Sequence, residues 1–131
     1  MKSPSVYMDE EKFYELSEYY SNPKHKFKMD NPTYKYENMT ISCGDKFSVY
    51  LKVDGSKIAD ASFDGSGCVI STVSVSKLCD YLIGKDIDII KNLDLKFIEN
   101  LLGIGKINPS RVNCALIGLR AFKKALSYTE N

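Results

Sequence analysis

Three cysteines set in three different backbone contexts constrain the fold more than any other feature of this 131-residue chain. Cys43 lies in Ser42-Cys43-Gly44-Asp45, Cys68 follows Asp64-Gly65-Ser66-Gly67, and Cys114 stands in Arg111-Val112-Asn113-Cys114-Ala115. No two are spaced as a CxxC knuckle. A single site can be made of them only if the chain brings a loop, a strand end and a helix start together. Three soft thiolates with the nearby carboxylate of Asp45 suit a thiophilic metal or an iron–sulfur cluster.

The length predicts one domain, residues 1–131, with a core of moderate size. The net charge of +1 gives no electrostatic case for nucleic acid or a membrane surface. Four cysteines could form two disulfides in a secreted chain. The start, Met1-Lys2-Ser3-Pro4, leads instead into a charged segment, and no apolar run approaches a membrane span. The expectation is a cytoplasmic, reducing location, where spaced cysteines serve as ligands or reactive thiols.

Hydrophobic periodicity sets the elements. Asp9 to Tyr20 predicts a helix with Phe13, Leu16 and Tyr20 on one face, ended by Ser21-Asn22-Pro23. Tyr34 and Tyr36 alternate with Lys35 and Glu37 and predict a short edge strand. Lys46 to Val53 alternates more clearly, with Phe47, Val49, Leu51 and Val53 on one face. Asp54-Gly55 predicts a hairpin turn. The return strand, Lys57 to Phe63, then places Ala59, Ala61 and Phe63 together. A helix is expected from Val69 to Ile83, with Val75, Leu78, Cys79 and Leu82 as its apolar stripe and Gly84 as its stop. Short helical turns follow from Asp86 to Leu102. The last helix starts near Asn108-Pro109, with Asn108 as N-cap, and buries Val112, Ala115, Leu116, Leu119 and Leu126. The sum is an α+β fold, a small antiparallel three-stranded sheet packed against helices in two layers.

Each candidate residue has its own argument. Gly44 gives Cys43 open space, and a polar setting of Ser42, Gly44 and Asp45 suits a ligand or a persulfide acceptor. If the backbone is extended there, Cys43 and Asp45 project to one side. Cys68 opens a helix, where exposed N–H groups and the helix dipole favour a thiolate. Cys114 sits early in the last helix, one turn after Arg111, whose charge can stabilise a thiolate. Cys79, on an apolar stripe, is expected in the core. His25, the only histidine, is not expected to be a ligand.

These motifs resemble the iron–sulfur cluster assembly scaffold family of the IscU/SufU/NifU N-terminal type. The matching stretches are Tyr20 to His25, Cys43-Gly44-Asp45, Phe63 to Ser71, Gly84-Lys85-Asp86 and Arg111 to Ala115. The resemblance runs from about Tyr7 to Leu126. It implies a SufE/NifU-like two-layer sandwich and a site of Cys43, Asp45, Cys68 and Cys114. It also implies a transient iron–sulfur cluster of the [2Fe-2S] type, with Zn2+ in the same site as the alternative or as-purified form. The implied partners are a cysteine desulfurase and apo iron–sulfur acceptor proteins or a downstream scaffold.

The chain departs from both branches. Asn113 stands where the IscU branch has a histidine before its last cysteine. Ile107-Asn108-Pro109-Ser110-Arg111 replaces that branch's chaperone-recognition segment, which argues against a dedicated chaperone. Arg111 with Cys114 resembles SufU, yet the interval from Cys68 to Cys114 is too short for the SufU insertion. Two functions are therefore expected, in this order. The first is a scaffold that builds a labile cluster on three Cys and one Asp. The second is a zinc-dependent sulfur acceptor that relays persulfide sulfur.

Overall fold

The computed structural model describes residues 10–39 and 44–127. Helix α1 (Glu10–Ser21) leads through a polar segment to three strands, β1 (Tyr34–Met39), β2 (Lys46–Asp54) and β3 (Lys57–Ser66). Helix α2 (Val69–Leu82) follows, then a 3-10 turn (Ile87–Asn92), α3 (Leu95–Leu102), a second 3-10 turn (Pro109–Arg111) and α4 (Val112–Ala125). The strands form one antiparallel sheet in the order β1-β2-β3, so the clearest alternating segment is central and the tyrosine strand lies at an edge. This is the expected α+β architecture.

The core lies between the sheet and the helices. Phe47, Val49 and Leu51 of β2 and Ala61 and Phe63 of β3 are fully buried on one sheet face. They join Val73, Val75, Leu78, Cys79 and Leu82 of α2 and Ala115, Ala121 and Phe122 of α4 in one cluster. Phe47 and Phe63 pack with their rings tilted by 59° and their centroids 5.9 Å apart.

The β2–β3 hairpin differs from its expected register. Asp54 pairs with Lys57, so Gly55-Ser56 makes the turn. Lys52 pairs with Asp60 but Val53 pairs with Ile58, which leaves Ala59 as the extra residue of a bulge. A bulge reverses the alternation beyond it. Ile58 is therefore buried and Ala59 exposed, the opposite of the period-two reading.

The segment after α1 is tied to the outer edge of β3 and to α2. The Phe63 N–H donates to the His25 carbonyl at 3.0 Å, and the Ser76 hydroxyl donates to the Lys24 carbonyl at 2.7 Å. On α1 itself, Leu16 is fully buried and Tyr19 packs on the core, while Tyr20 is 41% exposed. The apolar face of α1 thus turns toward Tyr19, where Lys77 also lies 4.9 Å above the ring.

Candidate metal centre

The site forms where β2 begins, β3 ends and two helices start. Cys68 is the N-cap of α2, with extended backbone at φ −75° and ψ 175°. Its Sγ accepts the Ser71 N–H at 3.5 Å, satisfying one of the donors that a helix start leaves open. Asp45 precedes β2 and is only 3% exposed, unusual for a carboxylate. Cys114 lies in the first turn of α4 and is fully buried. The Asp45 carboxylate, Cys68 Sγ and Cys114 Sγ lie within 4.8 Å of one another. Cys68 is the more accessible thiol, half-buried beside two buried donors.

Two glycines shape this approach. A Cβ on Gly67 would overlap Ser71 Oγ and stand 2.9 Å from Asp45 Cγ and 2.8 Å from Phe47 Cε2. Any other residue at 67 would displace the carboxylate or the helix start. Gly44 has φ +72°, a left-handed conformation that favours glycine. The backbone is therefore not extended between Cys43 and Asp45, and the same-side argument for that pair does not hold. Cys43 itself lies outside the described residues.

The donor set fits a thiophilic metal. Tetrahedral zinc with thiolate bonds of about 2.3 Å holds its sulfur donors roughly 3.8 Å apart, so atoms already within 4.8 Å need only a small contraction. Two thiolates with one carboxylate also suit an iron–sulfur cluster.

Arg111 is exposed in the 3-10 turn just before α4, not on the α4 face that carries Cys114. Asn113 is exposed, and its Oδ1 accepts from Arg120 Nη1 at 2.9 Å. His25 Nε2 lies 3.0 Å from Asp80 Oδ1, on the side of α2 facing the segment after α1. Cys79 is fully buried in the core; burial pushes its thiol well up, and Asp60 and Asp80 add to the shift.

Sequence reasoning missed Ser71 and Gly67 as parts of the site. The signal for Ser71 was its position three residues beyond a helix-opening cysteine, the spacing at which N-cap and N3 groups exchange hydrogen bonds. Gly67 carried no signal beyond being a glycine next to a cysteine, since its role depends on Asp45 arriving from another segment.

Comparison with known proteins settles the lineage. The family model described as the NifU-like N terminal domain matches residues 12–131. The chain belongs to this family. The iron–sulfur cluster assembly scaffold protein IscU of Thermotoga maritima is 32% identical to the NifU-like chain, over 85% of this chain and 89% of its own length. The zinc-dependent sulfurtransferase SufU of Bacillus subtilis is 30% identical, over 88% of each. Among solved structures, a SufU from Fervidobacterium islandicum, assigned to iron–sulfur cluster assembly in the SUF system, superposes with a TM-score of 0.72 at 25% identity. That match covers 95% of this chain and all of the other.

Proposed function

We propose that this NifU-like chain is an iron–sulfur cluster assembly scaffold of one domain, residues 1–131, acting in the cytoplasm. It receives sulfur from a cysteine desulfurase, builds a labile cluster on Cys43, Asp45, Cys68 and Cys114, and passes it to apo-proteins or a downstream scaffold. The observation that carries this reading is the convergence of Asp45, Cys68 and Cys114 within 4.8 Å, from three separate segments. The relatives named as scaffolds support it.

The geometry suits a protein that must let its cargo go. A carboxylate is a harder donor than a thiolate and holds an iron–sulfur cluster less firmly. The half-buried Cys68 gives the incoming sulfur an approach, while Cys114 and Asp45 hold the buried side. In the sulfur-receiving step, a site thiolate attacks the terminal sulfur of the desulfurase persulfide. The new S–S bond forms on the site cysteine, and the desulfurase cysteine leaves as a thiolate. The cluster assembled is of the [2Fe-2S] type; turning each persulfide sulfur into bridging sulfide takes two electrons from an external reductant, and the iron comes from a separate donor.

A second reading has its own support. A SufU relative is named a zinc-dependent sulfurtransferase, and Asn113 replaces the histidine of the IscU branch. On that reading zinc would be held by the same four residues and would lower the proton affinity of the thiols. One cysteine would leave it to accept and relay persulfide sulfur, with Arg111, in the turn that leads into α4, as the candidate for stabilising the thiolate.

Purification without oxygen tests the two. Visible cluster absorption with acid-labile sulfide, transferable to an apo-ferredoxin, is the expected result. A colourless protein with one tight zinc that raises desulfurase turnover would replace the scaffold by the sulfur acceptor. Protein that holds neither metal nor sulfide would sink both.

A further inference from the structure

Ser71 stands against a site residue in a way that Ser74 and Ser76, two other buried hydroxyls of α2, do not. Its N–H donates to Cys68 Sγ at 3.5 Å, and its Oγ lies 3.5 Å from the same sulfur. The hydroxyl also donates to the Cys68 carbonyl at 3.1 Å. Ser74 and Ser76, on the same helix, instead donate at 2.7 Å to carbonyls of other segments, those of Ala115 and Lys24. Those two fasten α2 to its neighbours. Ser71 is equally buried, yet its hydroxyl faces Cys68. It also occupies the place that a Cβ on Gly67 would contest, next to the Asp45 carboxyl.

We infer that Ser71 is the positioning residue of the metal centre, its hydroxyl setting the rotamer that aims Cys68 Sγ at Asp45 and Cys114. The inference rests on the metal-centre reading and extends it to a residue that supplies no ligand atom. The χ1 angle of a cysteine has three staggered wells. Contacts from both the N–H and the hydroxyl of Ser71 select the one that meets the other donors. The hydroxyl has one hydrogen and two acceptors within reach, the carbonyl and the sulfur. It can turn between them without moving a heavy atom, so it follows the charge on the sulfur as cargo is loaded and released. Groups that orient metal ligands in this way contribute about 10–100-fold to metal affinity.

Cobalt(II) is the probe, because its thiolate-to-metal absorption reports the surroundings of the sulfur directly. Affinity and the charge-transfer band are measured for wild type, Ser71→Ala, Ser76→Ala and Cys68→Ser, with circular dichroism as the fold control. Ser71→Ala should bind cobalt about tenfold more weakly and shift the band. Ser76→Ala should lose stability but keep both. The isosteric pair Ser71→Thr and Ser71→Val separates hydroxyl from packing and serves even if the alanine variant does not fold. The threonine variant should keep the wild-type band and the valine variant should shift it. Identical spectra for that pair, while Cys68→Ser loses the band, would overturn the positioning role and leave the metal centre standing. A Cys68→Ser protein with wild-type affinity and band would remove the metal-centre reading itself.

Discussion

Helix α2 has a cysteine at each end, and the two have opposite surroundings. Cys68 caps the helix, half-buried, with its sulfur against Ser71 and two further donors within 4.8 Å. Cys79 is fully buried near the other end, beside Leu78 and Leu82, and its thiol is pushed well up by burial, then by Asp60 and Asp80. Carboxylates stand near both sulfurs, yet with opposite effect. The Asp45 carboxylate lies within 4.8 Å of Cys68 Sγ, close enough for both to hold one metal ion. Among the described residues, Asp60 and Asp80 form no cluster of close donor atoms with Cys79, and their charge adds to the burial that keeps that thiol protonated. The same side chain is a candidate ligand at one end and a core residue at the other because of what the sheet and α4 bring to each.

The largest effect that could break this contrast is in metal loading. Cys68→Ser and Cys114→Ser should abolish stoichiometric binding of zinc or iron, and so should Cys43→Ser. Cys79→Ser should keep the metal but lose about 1–3 kcal/mol of stability, since its hydroxyl enters an apolar core. Elemental analysis with denaturant unfolding checks both. Loss of metal from folded Cys79→Ser, with Cys43→Ser intact, would reverse the assignment.

Asp45→Ala sharpens the carboxylate half of the comparison. On the scaffold reading the cluster still assembles on three thiolates, and its release to an apo-ferredoxin slows because the exchangeable donor is gone. On the zinc reading the metal binds more weakly against a chelator. Unchanged transfer and unchanged zinc affinity together would mean that Asp45 is not a ligand.

A smaller effect follows from the raised Cys79 thiol. The folded state keeps that proton at pH values where the unfolded chain releases it. The stabilisation is therefore complete below the ordinary cysteine pKa of about 8.5 and is lost as pH rises toward the folded value. Above about pH 8.5, wild type should lose up to roughly 1.4 kcal/mol per pH unit relative to Cys79→Ser. Parallel pH–stability curves for the two would contradict the burial argument.

The smallest expected change is at His25. Its pair with Asp80 is partly open to solvent, with side chains 22% and 58% exposed. His25→Ala should cost about 0.2–1 kcal/mol and leave the metal stoichiometry unchanged. Loss of metal with unchanged circular dichroism would bring the histidine into the site.

Much of the architecture was legible because its signals are local. The alternation of Lys46 to Val53 gave the central strand, and Gly84 marked the end of α2. Asn108, expected as the N-cap of the last helix, instead caps the 3-10 turn before it, while the N-cap of α4 itself is Arg111, which makes no side-chain cap hydrogen bond. What failed depended on partners distant in sequence. The buried face of α4 comprises Cys114, Ala115, Ile117, Gly118, Leu119, Ala121 and Phe122, whereas Val112, Leu116 and Leu126 are only partly buried. A single stripe could not describe it, because α4 packs on α2 and on the sheet at once. Gly118 shows the first contact, since a Cβ there would stand 2.7 Å from Val75 Cγ2. The hairpin turn moved by one residue because the bulge at Ala59 changes the pairing, and bulges leave no mark in alternation alone.

The chain by itself therefore determined which chemistry is present: soft sulfur, one carboxylate, and glycines beside them. Residue types and short-range spacing are enough for that, because capping, turns and alternation act over a few residues. Only the tertiary structure decided which of these groups meet. Asp45, Cys68 and Cys114 come from a loop, a helix cap and a helix start. Their convergence depends on how the sheet packs against α2 and α4, which is set by burial of the shared core rather than by any local pattern.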